Sequence, residues 1–194
     1  MPTGIAYLNA RELLFEAAER VLRQEGASGL TSRAITTEAG VAKGVMHRHF
    51  ADFDAFLAEL ILDRAARLDA PATALHDAVG TGTVVDNVVA AVTAVFSPLA
   101  VAMVALVITR DGLRARLHQA GAARFPLLAE GAAMITAYLR DEQVVGRVAN
   151  DVDVPAVSYT LIGATHLLFA DSESGPTDAR ALHSVVSRVL DGLV

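Results

Sequence analysis

Residues 31–50, TSRAITTEAGVAKGVMHRHF, decide how the rest of the chain is organised. The stretch is typical of two short helices joined by a tight turn at Gly40, because glycine accepts the left-handed conformation that ends many helices. The second helix is expected from about Ala42 to Phe50, with Met46 and Phe50 four residues apart on one inward face. Two helices joined in this way form a helix-turn-helix, whose second helix enters the major groove of DNA.

The second half of this stretch, AGVAKGVMHRHF, resembles the motif of the tetracycline-repressor (TetR) family, where the usual run is close to AGVSKGTLYRHF. The similarity extends back through FEAAERVLRQEGASGLTSRAITTEAGV and forward to FLAELI, about the first third of the chain. The resemblance implies a dimeric, all-helical, one-component transcription regulator. It also implies an N-terminal DNA-binding domain and a C-terminal domain for ligand binding and dimerisation, although no motif covers the C-terminal two thirds.

The outer side of the helix pair is the expected DNA contact surface. Lys43, at the start of the second helix, would meet a phosphate, and Arg48 would meet a phosphate or a guanine edge. The resemblance adds backbone contacts from residues 31–33, a close approach at Gly44 and a thymine-methyl contact from Val45. The predicted DNA-contacting residues are Thr31, Ser32, Arg33, Ala42, Lys43, Gly44, Val45, His47, Arg48 and His49.

Four positions depart from the family motif and alter polar contacts. The usual serine, threonine and tyrosine are replaced by Ala42, Val45 and His47. The common lysine of the following helix aligns with Phe53. These departures predict either a low DNA affinity or an unusual operator, although His47 could gain a phosphate contact as it protonates near neutral pH. They also keep open an alternative function, a helical ligand-binding or protein-interaction module with a degenerate DNA-binding end.

The charge distribution agrees with a DNA-binding N-terminus. The whole chain has a net charge of −6. Residues 1–50 hold six Lys and Arg against five Asp and Glu, a net of +1, and residues 51–194 hold ten against seventeen, a net of −7. The acidic part would repel DNA and the N-terminal part would not, so the asymmetry supports the motif without establishing function by itself.

The whole chain is predicted to be all-α, with about nine helices, because alanine, leucine and arginine favour helix and strand signals are scarce. The first three helices, up to residue 52, form the helix-turn-helix DNA-binding domain. Residues 53–194 form the ligand-binding and dimerisation domain.

The expected helices beyond residue 52 are separated by turn signals. A fourth helix, capped by Asp52, should end at Pro71, and a soft connection should follow over residues 72–83. A long helix with a kink at Pro126 should reach about Glu142. The other expected helices cover residues 84–97, 98–109, 154–170 and 177–193, the last of them capped by Thr177.

The helix at residues 154–170 has two apolar faces and therefore needs two partners. One face should pack in the subunit's own core. The other should join the last helix and the same two helices of a second subunit in a four-helix bundle. The competing interpretation is a helix buried centrally in a monomer. The predicted dimer-interface residues are Val157, Leu161, Ala164, Leu168, Leu182, Val186 and Val189.

The inward face of that helix is expected to line a mostly apolar pocket, with the apolar helices at residues 84–109 as the opposite wall. Aromatic rings and methionines with a few polar tips are the usual composition of a small-molecule site, although a plain hydrophobic core would look similar. The expected effector is an apolar or amphipathic small molecule. The predicted ligand-binding residues are Phe96, Met103, Phe125, Met134, Tyr138, Tyr159, His166 and Phe169.

Several classes of site are not supported by the sequence. There is no cysteine, so disulfides, thiolate zinc sites and a cysteine nucleophile are excluded. His47 and His49 point to different sides of one helix, and His118 and His166 stand alone in apolar helices, so no metal site is predicted. No catalytic or cofactor-binding motif occurs, and the chain is therefore not expected to be an enzyme or to carry a cofactor.

One stretch is long and apolar enough to be considered as a membrane span. Residues 87–109 carry no charged side chain, but Ser97-Pro98 interrupts the run, so two buried core helices are the preferred interpretation. No signal peptide is evident at the N-terminus. The chain is therefore expected in the cytoplasm, with double-stranded operator DNA, a small effector and a second copy of itself as partners, and without a membrane.

Overall fold

A computed structural model describes residues 4–171 and 178–194 of the chain. Over these residues the chain is all-α, as predicted, and it forms eleven helices without a strand. The helices are α1 (Gly4–Gly29), α2 (Ser32–Glu38), α3 (Gly44–His49), α4 (Phe53–Ala66), α5 (Asp69–Asp77), α6 (Val84–Val95), α7 (Pro98–Thr109), α8 (Asp111–Gln119), α9 (Pro126–Val144), α10 (Val154–Ala170) and α11 (Ala179–Leu190).

Side-chain caps fix the start of the helices around the predicted DNA-binding pair. Thr31 Oγ1 accepts a hydrogen bond from Ala34 N (3.1 Å) before α2, and Asp52 Oδ1 accepts one from Ala55 N (2.7 Å) before α4. These bonds satisfy backbone N–H groups that have no partner within the helix. The predicted cap at Asp52 is confirmed, and the predicted cap Thr177 lies outside the described residues.

Two prolines lie in the first turns of helices, where an end and a kink were expected. Pro71 lies in the first turn of α5, which occupies part of the connection expected over residues 72–83. Pro126 is the first residue of α9, and α8 is a separate helix that ends at Gln119. A proline fits the first turn because the N–H groups there have no helical partner. The predictions of a soft connection and of a kink were therefore wrong. The structure has eleven helices instead of about nine because α5 and α8 are separate helices that were not predicted.

The chain divides into two compact units, each with its own core. Unit 1 comprises the residues up to Asp63 together with Ala102–Arg124. In this unit α1 packs against α2 and α3, and α2 packs against α3. Gly26 has a positive φ of 69° and interrupts the regular helical conformation of α1. Large side chains buried in unit 1 include Leu14, Ile35, Met46, Phe56, Leu60, Leu113 and Leu117.

Unit 2 comprises Arg64–Val101 and Phe125–Val194. Here α10 packs against α9 and α11, while α6 packs against α5, α9 and α11. Gly131 lies where α6, α9 and α10 meet, because a Cβ atom at this position would be 3.1 Å from both Val95 Cγ1 and Ile162 Cδ1. A side chain at Gly131 would therefore push these helices apart. The core of unit 2 includes Val88, Val92, Ile135, Tyr138, Leu161 and Val186.

The uncharged stretch at residues 87–109 forms two helices, as predicted, which are α6 and α7. Among the described residues, no single helix is long and apolar enough to cross a bilayer. The α6–α7 pair reaches that length only as a broken segment, bent by 61° where the two helices join.

Candidate nucleic-acid interface and effector region

The α2–α3 helix pair is built around the glycine turn that the sequence predicts. Gly40 has a φ of 64°, and its N–H donates to Thr37 O (3.1 Å), while Val41 N donates to Thr36 O (3.0 Å). These bonds close the end of α2 and turn the chain toward α3. Val41, which lies between α2 and α3 in the sequence, is half-buried. Met46 on α3 is buried, as predicted for the inward face of this helix.

Four phenylalanines secure the end of α3 against α1 and α4. The Phe50 ring lies 5.8 Å from Phe15 and 4.9 Å from Phe56, edge-on to the latter. Phe53 stacks on Phe56 at 6.0 Å, and the Arg11 guanidinium lies 4.7 Å from the centre of the Phe50 ring. Aromatic pairs of this kind contribute beyond the area that they bury, so the recognition helix ends on a rigid support.

The predicted DNA-contacting residues all lie in α2, in α3 or in the residues that precede them, and most are exposed. The exposed ones are Thr31, Arg33, Ala42, Lys43, Gly44, His47 and Arg48, and the half-buried ones are Ser32, Val45 and His49. The exposed set includes three cations, Arg33, Lys43 and Arg48, over a buried aromatic core. Exposed cations of this kind are the groups that contact phosphates in DNA-binding proteins.

His49 differs from the prediction of a cationic outer face. Its ring is half-buried, with a buried Nδ1, and lies 6.4 Å from the Phe50 ring. Burial lowers the pKa of His49, and the nearby Arg11 and Arg48 charges lower that pKa further. The ring is therefore neutral near pH 7, and its contact with DNA stays a prediction.

Phe53, the residue that replaces the family's lysine, is also turned away from solvent. It is half-buried, it stacks on Phe56, and the Arg110 guanidinium lies 5.2 Å from its ring centre. Arg110 and Arg116 were not predicted as site residues. They pair with Asp54 and Asp52 from positions 56 and 64 residues away in sequence, a separation at which no local pattern gives a signal.

The predicted ligand-binding residues do not form one site. Phe96, His166 and Phe169 come together in unit 2, with ring centres 5.9 Å apart for Phe96–His166 and 5.3 Å for Phe96–Phe169. Tyr159 instead points outward and is 69% exposed. Met103 belongs to unit 1, so it is not part of the unit 2 cluster. Of the remaining members, Met134 and Tyr138 are buried and Phe125 is half-buried.

The predicted dimer residues also divide differently from expectation. Leu161, Leu182 and Val186 are fully buried within the chain's own core, with exposures of 0%, 4% and 0%, so they cannot contact a second subunit. The half-buried members are Val157, Ala164, Leu168 and Val189. Both faces of α10 are apolar, and helical periodicity therefore could not tell which face was the outer one.

A buried polar cluster that was not predicted from the sequence lies at the end of α9. Glu142 is 0% exposed, its Oε1 accepts a hydrogen bond from Gly80 N (3.3 Å), and its Oε2 lies 3.4 Å from Arg147 Nε, an ion-pair distance without a hydrogen bond. Asn87 Nδ2 donates to the Tyr138 hydroxyl (2.9 Å). Burial raises the pKa of Tyr138, and its hydrogen bond to Glu142 raises that pKa further, so Tyr138 stays protonated.

An apolar groove of about 260 Å³ runs between α5 and α6. It is lined by Ala70, Pro71, Ala74, Leu75, Ala78, Asn87, Ala90, Ala91 and Ala94. None of the predicted ligand-binding residues lines it, and Asn87 is its one polar lining side chain. Among the described residues no group of three His, Asp or Glu side chains could hold a metal ion.

Comparison with known proteins agrees with the N-terminal geometry. Residues 14–60 match the family model of bacterial regulatory proteins of the tetR family. That match covers α2, α3 and most of α4, together with the part of α1 that packs against them. No curated protein matches the chain.

Solved structures share the fold over nearly the whole chain. E. coli NemR in its reduced form has a TM-score of 0.74 at 17% identity, covering 95% of this chain and 97% of NemR. A protein described as a TetR-family transcriptional regulator from Mesorhizobium loti has a TM-score of 0.70 at 18% identity, covering 95% and 96%. FadR from Bacillus subtilis, solved in complex with stearoyl-CoA, has a TM-score of 0.69 at 15% identity, covering 94% and 99%.

At these identities the likeness shows the fold, and the family model adds the sequence signature of the DNA-binding helices. The α2–α3 pair lies within the matched range, with Ile35 and Met46 buried and Arg33, Lys43 and Arg48 exposed. Residues 14–60 therefore carry the sequence signature of the tetR family of bacterial regulatory proteins, and the chain shares its fold with solved structures described as TetR-family regulators.

Proposed function

We propose that the protein is a repressor that binds a pseudo-palindromic operator as a dimer and leaves it when an apolar or amphipathic small molecule binds unit 2. The observation that carries this proposal is the α2–α3 pair, which exposes Arg33, Lys43 and Arg48 over a rigid aromatic support. It acts in the cytoplasm, where its operator is.

The roles on DNA follow from position and charge. Lys43 precedes α3 and meets a phosphate, together with the residues around the Thr31 cap. Arg48, in the last turn of α3, meets a phosphate or a guanine edge. Val45 contacts a thymine methyl. Because His49 is neutral, the cationic contacts of α3 come from Lys43 and Arg48, with His47 as a hydrogen-bonding residue.

Dimerisation is proposed through the outer face of α10. Tyr159 and Leu167 are 69% and 70% exposed, and Gly163 lies exposed between them, so one apolar line of this helix has no covering residue within the described chain. A self-complementary apolar face is what a two-fold dimer buries. The half-buried Val157 and Leu168 flank the line and extend the contact.

The effector is proposed to bind in unit 2, among the Phe96, His166 and Phe169 rings or in the groove between α5 and α6. Both places are mostly apolar with one polar side chain, His166 in the first and Asn87 in the second. An amphipathic molecule suits such a site. The stearoyl-CoA bound to FadR is one example of this chemistry in a protein of the same fold.

Release from DNA follows from a shift between dimer states. The effector would bind one state better and raise its population. The α4 helix, which continues from unit 1 into unit 2 at Asp63, would carry the change to the two recognition helices. Half-sites on one face of DNA require a recognition-helix spacing of about 34–36 Å or a multiple, so a shift of a few ångströms weakens binding.

Arg48→Ala tests the DNA-binding surface. An operator duplex is first selected by the wild-type protein from a random library, and its affinity is then measured by fluorescence anisotropy. If Arg48 contacts a base, discrimination falls by about 1–3 kcal/mol, and if it contacts only phosphate, the salt slope falls by about one unit. The melting temperature should stay nearly unchanged because the side chain is exposed.

Arg140→Ala is the matched control, since Arg140 is an exposed helical arginine in unit 2 and its removal changes the net charge equally. It should bind the operator as the wild type does. If the wild-type protein selects no duplex at all, the repressor proposal fails. The alternative then gains, a helical ligand-binding or protein-interaction module whose DNA-binding end is degenerate at Ala42, Val45 and Phe53.

A further inference from the structure

The segment from Arg110 to Arg116, which includes the first half of α8, lies against the first turn of α4 within unit 1. Arg110 Nε and Nη2 each lie 2.7 Å from Asp54 Oδ1, and Arg116 Nη2 pairs with Asp52 Oδ2. Asp52 also caps α4, only three residues after α3 ends at His49. The two ion pairs therefore hold Asp52 and Asp54, which lie at the end of the short link between α3 and α4.

A chain of ring contacts leads from this segment to the recognition helix. The Arg110 guanidinium lies 5.2 Å from the Phe53 ring centre, Phe53 stacks on Phe56, and Phe56 meets Phe50 at 4.9 Å. The Phe50 N–H donates to Met46 O (3.0 Å), so Phe50 closes the last turn of α3. A continuous series of packed rings therefore connects Arg110 to the end of α3.

Gly112 shows independently that the segment is fitted to α4. A Cβ atom at this position would overlap with Asp54 Oδ2 and lie 3.0 Å from Asp54 Cγ. Any larger residue would push the first turn of α8 away from the carboxylate. The close approach allows Arg110 to place two nitrogens on one oxygen of Asp54.

We propose that Arg110 and Arg116 are positioning residues for operator binding, which hold the first turn of α4, and through it α3, by their ion pairs with Asp54 and Asp52. The proposal rests on the proposed DNA-binding function. The proposal gives residues 110–116 a role in operator binding, although they are remote from the helix-turn-helix in sequence. It also gives Phe53 a role, because its ring packs against the Arg110 guanidinium. The lysine usual in the family at this position has no ring to do so.

The test uses the full chain and the selected operator duplex, with Arg110→Ala, Asp54→Asn and the double variant. Each single variant should bind the operator about 5- to 10-fold more weakly, the lower part of the range for coupled sites. The double variant should be no weaker than the worse single variant, because both changes break one interaction. The salt slope should stay unchanged in all three, and Arg140→Ala should bind normally.

A direct phosphate contact by Arg110 would give a different pattern and would overturn the proposal. Asp54→Asn would then strengthen binding, because it frees the guanidinium, and Arg110→Ala would lower the salt slope by about one unit. Arg116→Ala with Asp52→Asn provides the same comparison for the second pair, since asparagine removes the charge beside Arg116 and can still cap α4.

Hydrogen exchange separates a failure of this proposal from a failure of the DNA-binding function. In the DNA-free protein, Arg110→Ala should speed backbone exchange over residues 44–56 and leave α10 unchanged. That result would support the positioning role even if no duplex were bound. Unchanged exchange over residues 44–56 would refute it, whatever the DNA affinity of the wild-type chain.

Discussion

Units 1 and 2 use charged side chains in opposite ways. In unit 1, half-exposed arginines join helices that are distant in sequence, through Arg11–Glu59, Arg20–Glu38, Arg110–Asp54 and Arg116–Asp52. In unit 2, Glu142 is completely buried and is paired with Arg147, whose side chain is 25% exposed. Exposed ion pairs contribute little to folding stability and are screened by salt. Breaking a buried pair is costlier, because it leaves an uncompensated charge in the interior. Loss of one of these unit 1 pairs should therefore cost less stability than loss of the Glu142–Arg147 pair.

The largest effect should come from breaking the buried pair. Arg147→Ala should lower the free energy of unfolding by about 3–5 kcal/mol, because it leaves the Glu142 carboxylate buried without an opposite charge beside it. Urea denaturation followed by circular dichroism measures this. Glu142→Gln should cost clearly less, since the amide oxygen can still accept from Gly80 N.

Arg20→Ala is the unit 1 control for that experiment. It removes the Arg20–Glu38 pair (2.6 Å) and should cost no more than about 1 kcal/mol, less at high salt. Equal losses for Arg147→Ala and Arg20→Ala would show that the two units do not differ in the way that their burial suggests.

The next effect compares the two faces of α10. Leu161→Ala should lower the free energy of unfolding by about 2–5 kcal/mol, because it opens a cavity in the core of unit 2. Leu167→Ala should change the stability of the monomer by less than about 0.5 kcal/mol but weaken the dimer, as sedimentation equilibrium would show. A stable dimer in Leu167→Ala would move the proposed interface away from this face.

The smallest effect concerns pH. Burial lowers the pKa of His166, so the unfolded chain takes up a proton before the folded chain does. The stability that neutral His166 allows is fully present above about pH 6.5 and is lost as the pH falls toward the lowered pKa. Thermal melts of wild type and His166→Phe at several pH values should diverge only on the acid side. A constant difference would mean that the ring does not titrate in this way.

The sequence predicted the parts of the fold that depend on local chemistry. Gly40 ends α2 and Asp52 caps α4 because those residue types have few alternatives at such positions. Pro71 and Pro126 misled the prediction because proline is equally compatible with the end of one helix and the first turn of the next.

The site was less predictable because it depends on contacts between distant residues. Periodicity found both apolar faces of α10 but could not decide that Leu161 faces inward and Tyr159 outward. The exposed cations of α3 followed from the motif. The Arg110–Asp54 pair spans 56 residues, and only the folded chain brings its members together.

The groove between α5 and α6 has a consequence for how a chain of this kind changes its specificity. Its walls are mostly alanines, and Ala74, Ala90 and Ala94 are exposed positions of regular helices. Leucine or methionine is almost as favourable as alanine at such positions, so the groove can be made shallower or rougher one side chain at a time. Substitutions at these positions can therefore change the shape of the groove during evolution without changing the buried core of unit 2 or the helix-turn-helix.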